Sequence, residues 1–300
     1  MLIRTYSDEL SERAAQHLQH AGQAHQLLDY EFRLLRDYIH QYCGIFYDDA
    51  KSSTLASRLS FRLKLLGIGS YSEYYNYLKF NPRSEEEIED LIPHLTNNET
   101  YFFREMNQIS FLVDELARKL KDGSLGKKSL KILSCGCSSG EEAFTLSMLL
   151  EEAGAYSAGH SIEITGIDID RKVIEKAVKG EYTSYSLRAA EKERIDRFFK
   201  REGDKYLLDK RVRDRVSFRR GNLLDPATFD VFRDVDAVLC RNVFIYFSDG
   251  AIRSITGSFH NIISGTGRLL LGHSESLSRI TDVFKPIRNP NVIVYTKKDF

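Results

Sequence analysis

The chain has 300 residues, enough for one or two domains at about 150 residues each, and its 42% hydrophobic and 29% charged residues are those of an ordinary folded protein. Lys plus Arg number 43 and Asp plus Glu number 43, so the net charge is zero, which argues against a general nucleic-acid binder. No apolar run approaches the roughly 18 residues of a membrane span, acidic residues interrupt the start where a signal peptide needs an apolar stretch, and four cysteines are too few for a disulfide scaffold, so the expectation is a cytoplasmic chain without membrane insertion.

Residues 1–25 are polar, rich in Gln and His, and read as a helical or frayed extension. The next interval, 26–90, reads as an all-α domain, because the pattern from 27 to about 78 is helical with no alternating strand. Within 51–66, Leu55, Leu59, Leu63 and Leu66 make one apolar stripe, and Lys51, Arg58 and Arg62 share a neighbouring face. That helix carries four basic residues and no acidic one. The face suits an acidic partner, or is simply solvated. Asn81-Pro82 ends the run, and Ser84 with Glu87 has the spacing of a capping box opening a new helix. The linker to the second domain, 91–300, is expected around 80–95.

After a helix at 108–121, short apolar runs alternate with helices: LKILSCG, a helix at 141–152, IEITGID, a helix at 171–179, AVLCRN, a helix, and RLLLGHSES. This alternation predicts an α/β fold with a mainly parallel sheet covered on both faces. Residues 267–272 and 292–297 are expected to pair antiparallel at one edge. The highly charged interval 181–219 breaks the alternation. With a short helix at 191–200 and a turn at Glu202-Gly203-Asp204, it reads as a small inserted α/β or β-subdomain on the ligand-facing side. The basic residues between Lys192 and Arg220 need be no more than a solvated face.

The segment Ile132-Leu133-Ser134-Cys135-Gly136-Cys137-Ser138-Ser139-Gly140-Glu141-Glu142 takes a strand through a small-residue turn into a helix. Gly136 and Gly140 let the backbone approach a ligand at the unpaired N–H groups of the helix start. A dinucleotide fingerprint, G-x-G-x-x-G, would hold pyrophosphate there. Here the second glycine is absent, and Glu141 and Glu142 would repel a diphosphate and suit an ammonium or sulfonium group. Asp168, ending the next strand, is placed to accept both hydroxyls of an adenosine ribose. The plainer role is a helix N-cap, open to Asp168 or Asp170. Together the two signals favour an adenosine-containing cation, S-adenosylmethionine (SAM).

A longer set of motifs runs in order through the chain. Ser57-Arg58-Leu59 through Arg62-Leu63 to Leu66-Gly67 comes first, then Leu95-Thr96-Asn97-Asn98-Glu99-Thr100-Tyr101-Phe102-Phe103-Arg104, then the turn at 135–142 and Gly166-Ile167-Asp168-Ile169-Asp170. Gly180-Glu181-Tyr182, Asn222-Leu223, Cys240-Arg241-Asn242-Val243-Phe244-Ile245-Tyr246-Phe247 and Gly272-His273-Ser274-Glu275-Ser276 follow. From about Leu28 to the C-terminus this resembles the chemotaxis receptor methyltransferases, the CheR family. The resemblance implies a Rossmann-like SAM-dependent methyltransferase domain with an inserted β-subdomain behind an all-α domain. It also implies transfer of methyl from SAM to glutamates of a helical receptor domain, leaving S-adenosylhomocysteine and needing no metal. It carries SAM contacts to Asn98, Thr100, Arg104, Glu141, Asp168, Asn222, Leu223, Asn242 and Val243, and catalysis to Arg104 and Tyr246. Arg58 and Arg62 become the expected substrate contacts. Some family members tether themselves to a receptor's C-terminal pentapeptide through a longer, glycine-rich loop in the inserted subdomain. Here Gly203 is the only glycine of that loop, so no pentapeptide tether is expected.

Plainer roles stand beside these. Cys135 and Cys137 form a C-x-C pair without a second pair nearby, too few ligands for structural zinc, and Cys43 and Cys240 read as small buried hydrophobes. His273 suits a structural hydrogen bond better than acid–base work. Tyr71, Tyr74, Tyr75 and Tyr77 suit helix packing. Two other functions compete with receptor methylation: a SAM-binding regulatory or scaffold protein, and a methyltransferase acting on another protein.

Overall fold

The computed structural model describes residues 26–126, 129–290 and 292–298, so the extension expected at 1–25 lies outside the described residues. The chain divides after Asn97 into two compact units.

The first unit is helical: α1 (Asp29–Cys43), α2 (Ser52–Leu66), α3 (Tyr71–Phe80) and α4 (Ser84–Leu95). Leu55, Leu59 and Leu63 of the expected stripe are buried together with Leu35, Ile39, Tyr71, Tyr74, Leu78 and Leu91. The tyrosines do serve packing, since Tyr71 and Tyr74 are buried and Tyr75 meets Tyr38 edge-on. Three expectations fail here. The interval 80–95 is mostly helix α4 rather than a linker. No capping box forms at Ser84, because Arg83 precedes the helix without a side-chain cap and Glu87 points into the unit. Arg62 is buried as well: its Nε and Nη2 donate to Glu87 Oε1 and Oε2 at 3.0 and 2.6 Å, and Nη2 also reaches Asp90 at 3.0 Å. The Tyr74 hydroxyl donates to the same Glu87 oxygen that Arg62 Nε reaches.

The second unit opens with α5 (Met106–Lys121) and β1 (Ser129–Cys135), then α6 (Glu141–Glu152), β2 (Ser161–Asp168) and α7 (Arg171–Lys179). An insertion follows: β3 (Glu181–Thr183), α8 (Lys192–Phe198), β4 (Phe199–Glu202), β5 (Lys205–Leu208) and the short α9 (Lys210–Arg213). The main sheet resumes with β6 (Val216–Arg220), β7 (Val235–Cys240), α10 (Asp249–Ile262), β8 (Ile263–Leu271), β9 (Phe284–Asn289) and β10 (Val292–Lys297). Its order is β6-β2-β1-β7-β8-β10-β9. Pairing is parallel from β6 to β8 and antiparallel on both sides of β10.

Strand alternation divides the core. Ile132, Ala237 and Leu239 face one apolar cluster, with residues of α5 and α6, whereas Leu133, Val238 and Cys240 face another, with residues of α10. Helices cover both faces because successive strand residues point to opposite sides. The expected antiparallel pair exists as β8 and β10, but it is not the edge: β9 pairs outside β10. The insertion is also shorter than expected, since 216–220 is β6 of the main sheet and only β3, β5 and β4 form the separate three-stranded sheet.

Candidate functional site

Strand order reverses between β1 and β7, since β2 and β6 build outward on one side of β1 and β8 lies on the other side of β7. In a parallel sheet of this kind, ligands bind outside the carboxyl ends of the strands at that reversal. The structure brings most of the expected site residues there. Gly136 to Gly140 follow β1, Asp168 ends β2, Asn222 and Leu223 follow β6, and Asn242 and Val243 follow β7. Gly136 has φ +70, and a Cβ at that position would come within 2.4 Å of the Val243 side chain. Only glycine permits that approach.

Asp168 is buried. Its Oδ2 accepts the Ser138 N–H at 2.8 Å and its Oδ1 the Asp170 N–H at 3.0 Å. A carboxylate offers about four lone-pair sites, so capacity remains for further donors. Burial pushes this carboxyl up to about 6, against the pull of the two N–H bonds. The N-cap role falls to Asp170, which accepts the Lys172 N–H at 2.8 Å and the Asn98 side-chain amide at 2.8 Å. The Asn98 carbonyl accepts the Ser138 hydroxyl at 3.0 Å, so the stretch carrying Asn98, Thr100 and Arg104 is tied to the β1 turn.

The acidic pair opening α6 separates into two roles. Glu141 is buried and accepts the hydroxyls of Ser139 and Ser186; burial pushes its carboxyl upward, with the Ser139 bond opposing. Glu142 is not a free acidic group awaiting a cation, because it accepts from Ser134 Oγ at 2.7 Å and Arg241 Nη1 at 2.9 Å. The inserted subdomain lies on the ligand-facing side, as expected: the Tyr182 hydroxyl donates to the Ser139 carbonyl at 2.7 Å and the Ser186 carbonyl accepts from Phe102 N–H.

Arg104 is partly exposed. Its Nη1 donates to the Glu99 carbonyl at 2.9 Å, and Glu105 lies 3.9 Å from its Nε. That carboxylate is already engaged at 3.0 Å by the buried Arg241. Phe103 and Glu105, on either side of Arg104, have φ +61 and +50, conformations that cost non-glycine residues on the order of 1 kcal/mol each. Tyr246 ends a 3-10 turn, Phe244–Tyr246, directly after Asn242 and Val243, and is half-buried. Arg58 and Arg62 belong to the other unit. Arg62 is therefore not presented to a partner. Arg58 is itself engaged, donating to the Leu95 carbonyl and, at 3.3 Å, to the Tyr47 hydroxyl.

One residue of this region carries more than the sequence suggested. Glu275 accepts backbone N–H groups of Asn242, Gly272, Val243 and Ile245 at 2.8, 2.6, 2.8 and 3.2 Å, and so fixes the loop after β7. Its place in the motif Gly272-His273-Ser274-Glu275-Ser276 was the available signal. His273, by contrast, lies half-exposed with Nε2 3.8 Å from Glu105. The four cysteines are free and buried, and burial pushes the Cys43 thiol up to about 12.

A parallel sheet ending in an antiparallel β10 pairing, with an acidic residue closing the second strand and a glycine turn after the first, defines a Rossmann-like methyltransferase domain. The residues fit SAM, since a buried carboxylate with lone pairs to spare stands where ribose hydroxyls are met. The family described as "CheR methyltransferase, SAM binding domain" matches residues 98–293, and "CheR methyltransferase, all-alpha domain" matches residues 30–96. The chain belongs to the CheR methyltransferase family and carries its SAM-binding domain. It is 35% identical over 259 residues to "Chemotaxis protein methyltransferase 2" of Vibrio cholerae, covering 86% of this chain and 89% of that one. It is 32% identical to "Chemotaxis protein methyltransferase" of Borreliella burgdorferi, covering 78% and 83%, and 30% identical to "Chemotaxis protein methyltransferase 1" of Pseudomonas aeruginosa, covering 89% and 98%.

Proposed function

We propose that this protein methylates glutamate side chains on the helical cytoplasmic domain of chemotaxis receptors, giving glutamyl methyl esters. The observation that carries the proposal is the state of Arg104. Arg241, at the end of β7, holds the Arg104 carbonyl, and the carboxylate 3.9 Å from Arg104 Nε, that of Glu105, is bound more closely by Arg241, at 3.0 Å. Arg104 thus retains positive charge for an incoming carboxylate, which its planar fork can orient.

SAM, when bound, supplies an electrophilic methyl group on a sulfonium. Asp168 would accept the ribose hydroxyls, with Asn98, Thr100, Glu141, Asn222, Leu223, Asn242 and Val243 completing the cofactor contacts. The acceptor carboxylate is already ionised near neutral pH, so the chain need provide no general base. Its contribution is alignment and exclusion of water, which help because an anion and a cation disperse their charges as they react. Arg104 positions the carboxylate, and Tyr246 walls the approach or donates a hydrogen bond to it.

The hairpin between β4 and β5 supports a tether-free encounter. Its turn is Gly203-Asp204 alone, with Gly203 at φ +65, which leaves no loop long enough to wrap a peptide. The enzyme would then work in the cytoplasm by direct contact with its receptor. Among the described residues no helix is long and apolar enough to cross a membrane, in keeping with that reading. Incubation with methyl-labelled SAM and receptor-bearing membranes tests the proposal: base-labile label on receptor bands supports it, and label confined to other proteins favours the second substrate reading.

A further inference from the structure

Arg104 does not hold its own position. It sits between two residues in the left-handed region, Phe103 and Glu105, so the segment needs external support to keep this shape. Phe103 receives some, since its N–H donates to Thr145 Oγ1 at 3.1 Å. The remainder comes from the residue that follows β7. Arg241, the first residue after β7, has a side chain only 1% exposed. Its Nη2 donates to the Arg104 carbonyl at 3.1 Å and to Glu105 Oε2 at 3.0 Å. Its Nε donates to Gln108 Oε1 at 3.0 Å and its Nη1 to Glu142 Oε2 at 2.9 Å.

Glu105 completes the connection. Its other oxygen, Oε1, accepts the Asn242 side-chain amide at 3.3 Å. Burial would raise this carboxyl, but Arg241, the Asn242 amide and His273 bring it below the ordinary carboxylate range. One buried guanidinium and one carboxylate thus join the segment that presents Arg104 to the loop that leads into Tyr246. A planar fork reaches all of these acceptors from three separate nitrogens, whereas the three N–H donors of a lysine radiate from a single atom. Asn242 and Val243 have separate backbone anchors on Glu275, so their placement does not depend on Arg241 alone.

We propose that Arg241, acting with Glu105, is a positioning residue that sets Arg104 for the acceptor carboxylate. The inference rests on the reading of Arg104 given above. Arg241→Lys lowers kcat for receptor methylation by about thirtyfold or more while affinity for S-adenosylhomocysteine, read by calorimetry, changes by less than about threefold. Arg241→Lys added to Arg104→Ala costs less than about threefold beyond Arg104→Ala alone, because a residue that acts through Arg104 has nothing left to position. Glu105→Gln, which keeps an acceptor oxygen, retains more activity than Glu105→Ala and serves if the arginine variant does not fold. Amide exchange supplies a readout independent of substrate: in either folded variant it rises across 103–106 and not across 243–246. Multiplicative losses in the double variant, or unchanged exchange at 103–106, overturn the proposal. If Arg104→Ala keeps full activity the reading of Arg104 fails instead. If the wild-type enzyme labels no receptor, the substrate reading fails and the exchange measurement alone decides this one.

Discussion

Glu275 accepts the backbone N–H of Asn242, 33 positions earlier in the chain, at 2.8 Å. Each oxygen of this carboxylate takes two such donors, so the loop between β7 and Tyr246 is hung on one side chain. Glu275→Gln replaces one acceptor oxygen with an amide that faces N–H groups, and each stranded donor costs about 1–3 kcal/mol. The expected result is a loss of about tenfold or more in S-adenosylhomocysteine affinity. Unchanged affinity in a folded Glu275→Gln variant would remove this loop from the cofactor site.

Asp168 predicts a pH dependence. Its carboxyl is raised by burial to about 6, and the ionised form accepts ribose hydroxyls better than the protonated one. Protonation below that value competes with binding, so affinity is full above it and is lost as pH falls through it. Between pH 7 and pH 5 the loss is about tenfold. Asp168→Ala should bind more weakly at pH 7 and lose this slope. A wild-type affinity flat from pH 5 to 7 would contradict the assignment.

Arg62 should behave as a stabilising residue of the first unit. Arg62→Ala leaves Glu87 buried without its bidentate partner, and breaking such a pair costs about 3–5 kcal/mol. Urea denaturation should show a clearly lowered midpoint. An acidic substrate would instead meet the exposed Lys51 and Lys64 and the half-exposed Arg58. Reversing Lys51 and Lys64 to Glu should slow receptor methylation at low salt, with the effect fading as salt screens exposed charges. An Arg62→Ala variant of wild-type stability would restore the docking role.

The two-residue turn at Gly203-Asp204 predicts no measurable heat when a receptor C-terminal pentapeptide is titrated into the protein. Micromolar binding would show that the inserted sheet captures peptides without a long loop.

How much of this was legible in the sequence depended on how local each signal was. Strands β1 and β7 announced themselves as apolar runs because both their faces are covered, and β2 by the alternating isoleucines Ile162 and Ile164. Strand β6 escaped because Val216–Arg220 is a charged edge strand with mostly exposed or half-exposed side chains. Arg62 was placed correctly on its helix, but helical spacing says nothing about carboxylates 25 positions away. The reach of Arg241 to the Arg104 carbonyl spans 137 positions and uses a backbone atom, which leaves no pattern in residue types. The crevice itself was readable because its parts lie at strand ends, where small and acidic residues interrupt apolar runs.

On the proposed reading, Arg104 receives the carboxylate of a receptor glutamate. The most direct measurement is a single-turnover reaction of methyl-labelled SAM with receptor-bearing membranes, run for the wild-type enzyme and Arg104→Ala at saturating cofactor. The expected result is base-labile label on the receptor with wild type and a rate reduced by about a hundredfold in the variant. Equal rates for the two proteins would contradict it.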